Sequence, residues 1–294
     1  MARKLGYQPN PLVANLMAQL HVQRRRDDPF NIAWIDLWPD DQESSGLQLL
    51  NPLLEGARRR ASELGYGIEI HRPTRDGLSP DRLHRILVSR GQYALIVPPV
   101  PEAAMNYRLD LEGMAGVTIG TSLHKNRIHR VAPNLYQGSQ LACHHLRDQG
   151  FRRIGLVLSE KMHERVEKSW TGAFLAEQQH WPKIDRLPPL LLNTWDRTRF
   201  NKWHSQYQPD AVLLSEPVPA SWMKELSGGG RRRPSPIVWL LVEGRQPGVQ
   251  GVDYRGNAIG AASVEMVVGQ IHRNERGDPK IPNTLLLPGV WTAN

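Results

Sequence analysis

The strongest constraint on this chain is a recurring unit, seen most plainly in residues 131–159, VAPNLYQGSQLACHHLRDQGFRRIGLVLS. Leu135, Gly138, Ala142 and Leu146 recur at three- and four-residue spacing, the run ends at Gly150, and the apolar stretch Ile154 to Leu158 follows at once. That reads as helix, tight turn and buried strand. A strand apolar on both faces is what a parallel sheet covered by helices above and below requires.

The same unit repeats along the chain. Strands are expected at 32–37 (IAWIDL), 67–71, 94–98 and 117–120, with helices over 47–65 and 80–91 and a short one near 102–107. After the stretch above come a helix around 164–179, strand 189–192, helix 197–207, strand 211–214, helix 219–226 and strand 237–242. Residues 255–271 read as a helix with apolar positions around most of its circumference, hence deeply packed, and LLLP (285–288) as the last strand. Strands alternating with helices of ten or more residues indicate parallel βαβ units. The fold class is therefore α/β, two doubly wound parallel-sheet lobes with a cleft between them at the carboxyl ends of the strands.

Composition excludes several classes. The 294 residues, 40% hydrophobic and 22% charged, suit a globular protein with one large or two medium domains. The longest apolar runs are too short to cross a bilayer and no secretion signal opens the sequence, so a cytoplasmic location without membrane attachment is expected. The single cysteine, Cys143, lies inside a helix and reads as a small core residue. A formal net charge of +8 suggests a polyanionic partner. No Gly-x-Ser-x-Gly elbow, His-Glu-x-x-His pair, Cys-x-x-Cys or Gly-x-Gly-x-x-Gly after a strand is present, and adjacent His144 and His145 fall on different helix faces, so neither catalysis nor a metal or other cofactor is expected. The Gly- and Arg-rich loop 227–234 lacks the flanks of a phosphate loop and reads as solvated.

One segment stands outside the alternation. Gly6 closes a first helical turn, Tyr7 to Pro11 is extended, and Asn10 caps a short helix with Pro11 in its first position and Leu12, Val13, Leu16, Met17 and Leu20 at helical spacing. A charged linker, Arg24 to Pro29, separates it from the first strand.

Four pieces carry a resemblance to the LacI/GalR family of bacterial transcription regulators, extending over essentially the whole chain. They are Leu5-Gly6-Tyr7-Gln8-Pro9-Asn10-Pro11-Leu12-Val13-Ala14, Val131-x-x-Asn134-x-x-x-Gly138, His145-Leu146-x-x-x-Gly150-Phe151-Arg152-Arg153-Ile154-Gly155 and Ile259-Gly260-Ala261-Ala262-Ser263-Val264. The resemblance implies a periplasmic-binding-protein-like effector core preceded by a short N-terminal hinge helix. It divides the chain into a head remnant, hinge and linker (1–29), an N-terminal lobe (30–131 plus 255–283) and a C-terminal lobe (132–254 plus 284–294). It also implies that a homodimeric, DNA-binding repressor inserts Leu16 into the minor groove of operator DNA, with Tyr7, Asn10 and Val13 completing the hinge contacts. In the family's layout the recognition helix precedes Met1, so operator DNA is the expected partner where that head is present.

By the same resemblance a small effector, a sugar or sugar derivative, is expected in the cleft against Trp38, Pro98, Arg165, Ser169, Trp195, Ser215, Glu216, Glu243 and Tyr254. Each lies just past a strand's carboxyl end or on a crossover between lobes, where an open α/β sheet binds ligands. Trp38 and Trp195 suit the apolar face of a sugar ring, and Glu216, Glu243 and Arg165 suit its hydroxyls. Ser169 stands where many members place an arginine, and Ser215-Glu216 where Asn-Asp is usual. The alternative is a solute-binding protein of the same two-lobed fold with no role on DNA.

Overall fold

The computed structural model describes residues 30–39, 44–194, 196–215, 236–242 and 249–292. Two six-stranded sheets organise them. The first is built from β1 (Phe30–Ile35), β2 (Tyr66–His71), β3 (Ala94–Val97), β4 (Ala115–Ile119), β5 (His129–Pro133) and β11 (Thr284–Leu287). The second takes β6 (Ile154–Ser159), β7 (Leu190–Leu192), β8 (Ala211–Leu214), β9 (Ile237–Val242), β10 (Gly251–Asp253) and β12 (Val290–Thr292).

The order is β11-β5-β4-β3-β1-β2 in the first sheet and β12-β10-β9-β8-β6-β7 in the second. The two orders are the same once each sheet is counted from its own first strand. β1 runs parallel to both β2 and β3, and β6 parallel to both β7 and β8. Each sheet thus reverses its winding beside its first strand, which makes the carboxyl ends of β1 and β3, and of β6 and β8, the topological switch points. Strands β3, β4 and β8 are buried at every residue, as helix cover on both faces demands. β12 is antiparallel to its neighbour, β10.

By contacts the chain forms two compact units, one up to Ala132 together with Gly256–Leu285, the other Pro133–Arg255 together with the residues from Leu286 on. In the first unit α1 (Ser44–Glu63) packs on α7 (Gly256–Arg273). Glycine sets that approach: a methyl group on Gly260 would sit 1.9 Å from the Leu53 carbonyl oxygen, and one on Gly56 2.0 Å from that of Asn257. Gln270 of α7 fastens the helix to β4, its amide both donating to and accepting from the Gly116 backbone at 3.1 Å. Helix α2 (Pro80–Ser89) covers the same sheet, capped by Ser79 and burying Leu83 and Leu87.

In the second unit α3 (Leu135–Asp148) is capped by Asn134, whose side chain accepts from the Gln137 N–H at 3.1 Å. Cys143 is wholly buried in it, and burial pushes its thiol well above the ordinary range, so it is an inert packing residue. His144 bonds Glu177 at 2.7 Å while His145 stacks on Trp291, so the neighbouring histidines do face apart. Helix α6 (Arg197–Tyr207) covers the other side, with Trp203 close against Gly155.

Two expectations are corrected. The segment 164–179 is two helices, α4 (Glu160–Arg165) and α5 (Ser169–Gln178), because Glu167 and Lys168 take left-handed φ of 50° and 60°. Non-glycine residues rarely adopt that region, so the sequence carries no mark of the break. The helix expected at 102–107 is a single 3₁₀ turn, Glu102–Ala104. The helix expected at 219–226 and all of residues 1–29, including Tyr7, Asn10, Val13 and Leu16, lie outside the described residues.

Candidate functional site

At the switch point of the first sheet, the residues after β1 and β3 meet. The Trp38 indole N–H donates to the Pro99 carbonyl at 2.7 Å, and only 9% of Trp38 remains exposed. Pro98 is buried beside it. The loop is held from below by Asp36, 6% exposed, which accepts the Trp38 backbone N–H at 3.1 Å while its own N–H donates to the His71 carbonyl. Arg72, next along from β2, places its Nε 3.5 Å from the same carboxylate. On the β4 side, the Val100 N–H donates to the Ser122 hydroxyl at 2.9 Å. A belt of polar contacts therefore fastens the ends of β2, β1, β3 and β4 in their sheet order.

Asp36, Arg72 and Ser122 were not among the expected site residues. The signal for Asp36 was present: a carboxylate closing an otherwise apolar strand needs a partner when buried. The identity of that partner, Arg72, is a matter of three-dimensional neighbourhood.

The switch point of the second sheet is built differently. Ser159 at the end of β6 is spent on capping α4, accepting from the Met162 N–H at 3.0 Å. Arg165 ends α4 and Ser169 opens α5, both half-buried, with the two helices tied by His163 and Thr171 at 3.0 Å. Ser215 follows β8, whose Leu214 pairs with Val157 of β6. Its hydroxyl is buried and has no hydrogen-bond partner among the described residues. A buried hydroxyl left unpaired costs about 1–3 kcal/mol, which a bound acceptor or donor would recover.

Tyr254 is placed otherwise than expected. It is 3% exposed inside the second unit, and its hydroxyl accepts from the Trp170 indole N–H at 3.4 Å. A methyl group on Gly138 would stand 2.0 Å from that hydroxyl, so the glycine of the Asn134-x-x-x-Gly138 motif exists to admit the tyrosine ring. Burial holds the phenol far above its ordinary ionisation range. Its place on the crossover implied ligand contact by resemblance, but the ring turns inward and is consumed by packing. Trp195, Glu216 and Glu243 lie outside the described residues.

Among the described residues no group of three or more His, Cys, Asp or Glu could hold a metal ion, and no helix is long and apolar enough to cross a membrane.

No protein-family model matches the chain, and no curated protein matches it by sequence. Solved structures do match. A lac repressor dimer bound to operator and the anti-inducer ONPF is 15% identical with a TM-score of 0.60, covering 98% of each chain. The transcriptional regulator CelR in complex with cellobiose is 16% identical with a TM-score of 0.59, covering 99% of this chain and 87% of that one. A periplasmic binding protein/LacI transcriptional regulator from Alkaliphilus metalliredigens QYMF, complexed with D-xylulofuranose, is 14% identical with a TM-score of 0.59, covering 90% and 97%. The described residues, two parallel-dominated α/β sheets of identical strand order, have the fold of the effector-binding core of LacI-type transcriptional regulators.

Proposed function

We propose that this chain is a ligand-responsive transcription regulator, not an enzyme, whose effector is a sugar or sugar derivative held by loops at the carboxyl ends of the strands. The observation that carries the reading is the pair of switch points. The first holds the Trp38 indole in place, 9% exposed, next to the buried Pro98, and the second has a buried Ser215 hydroxyl with no hydrogen-bond partner among the described residues, with Arg165 and Ser169 on the helices that follow β6. An aromatic side chain and a buried hydroxyl with no partner among the described residues are groups that a polyol can use. The solved structures with cellobiose and D-xylulofuranose support that ligand class, and the one with operator supports a role on DNA. Trp195, Glu216 and Glu243 would complete the polar and stacking contacts.

In this reading the protein is a cytoplasmic homodimer. Effector and operator binding are coupled reciprocally by about 1–3 kcal/mol through the hinge residues Tyr7, Asn10, Val13 and Leu16. A thermal-shift screen of sugars and sugar acids tests it: a ligand at about 100 times its Kd stabilises the native state by about 2.7 kcal/mol. Trp195→Ala and Ser215→Ala should abolish or reduce that shift, and retention of the full shift in both removes this site. A ligand that shifts the melting temperature but leaves duplex-DNA binding unaltered in an anisotropy titration favours a solute-binding protein of the same fold.

A further inference from the structure

We infer that Arg72, oriented by the buried carboxylate of Asp36, reads an acidic group on the effector, a carboxylate or a phosphate, beside the ring held at Trp38. The inference rests on the sugar-effector reading above and narrows its ligand class. Three observations carry it. Asp36 is 6% exposed, and its carboxylate meets the Trp38 backbone N–H at 3.1 Å and Arg72 Nε at 3.5 Å, so it serves as an internal anchor and not as a ligand contact. The Arg72 side chain is 44% exposed and addresses that anchor through its Nε edge. A guanidinium carries five N–H donors in a rigid fork, and the two Nη groups, which bond to none of the described residues, can take a planar anion. Lastly, the Trp38 indole N–H is committed to Pro99, so Trp38 has no donor to offer. The polar selectivity of this rim therefore falls to Arg72, which follows β2 at the ligand-binding edge of the sheet.

Calorimetric titration of the full chain with D-glucose, D-galactose, D-gluconate, D-galacturonate and D-glucose 6-phosphate tests the inference, with melting curves to establish folding. At least one acidic probe should bind about tenfold or more tighter than its neutral counterpart, the sugar acids and the phosphate ester distinguishing the two anion sources. Arg72→Gln should cost about 10- to 100-fold on that probe, the range for one charge-assisted hydrogen bond, and leave neutral sugars unchanged. Arg72→Lys should restore part of the loss. Asp36→Asn, which keeps an acceptor for Trp38 and drops the charge that orients Arg72, should cost several-fold on the same probe. Equal losses on neutral and acidic probes, or tighter binding of neutral sugars, overturn the assignment while leaving a sugar regulator intact. No binding of any probe by the unmutated chain overturns both.

Discussion

The two sheets share one strand order, yet their carboxyl edges are finished in opposite ways. In the first, Asp36, Trp38, Pro99, Val100 and Ser122 satisfy one another across strand ends, leaving a rigid rim. In the second, Ser159 serves a helix cap and Ser215 has no partner among the described residues. Identical topology therefore does not give identical chemistry. The first rim is preorganised by its own hydrogen bonds, whereas the second carries a buried polar group that no described residue satisfies.

The comparison is sharpened first where the lobes should behave alike, at the glycines that let elements touch. Gly260→Ala should cost about 3 kcal/mol, since the added methyl meets the Leu53 backbone 1.9 Å away and neither helix can yield cheaply. Gly138→Ala in the second unit should cost about 1–3 kcal/mol, because a tyrosine ring can shift where a backbone cannot. Urea midpoints of both variants measure this, and a neutral Gly260→Ala would remove the close helix contact.

A smaller effect separates the rims. Ser122→Ala should destabilise by about 1 kcal/mol by removing the acceptor of the buried Val100 N–H. Ser215→Ala should leave stability unchanged or raised, and weaken effector binding. Equal destabilisation by both would mean that the two rims are built alike.

The smallest expected effect is in pH. Burial holds His71 and His129, both in the first unit, below the ordinary imidazole value, with Arg273 adding to the effect at His129. The unfolded chain takes up protons at about pH 6.5 where the folded chain resists, so these two contributions are complete above that pH and fade as pH falls. Stability should be lower at pH 5.5 than at pH 7.5, and His71→Gln with His129→Gln should flatten that slope. An unchanged slope would place the acid sensitivity elsewhere.

Much of the architecture was legible because parallel strands are apolar on both faces and their helices bury one stripe; β3, β4, β6 and β8 stand where such runs predicted them. The break at Glu167 and Lys168 was not legible, since neither residue type advertises a left-handed turn. The three-residue β10 and β12 were too short to carry a period. At the site, the stretch after β1 was visible as a tryptophan and a proline, but Tyr254 was misjudged: its place in the chain gives no hint that Gly138 opens room for it in the core. Asp36 and Arg72 were passed over because their pairing joins the ends of two neighbouring strands across the whole of α1.

By itself, the sequence determined two α/β lobes with parallel sheets, through a burial pattern summed over many residues and therefore tolerant of local error. Only the tertiary structure decided which side chains at the strand ends are consumed by one another. A hydrogen bond depends on a few tenths of an ångström between residues distant in sequence, and no local pattern records that distance.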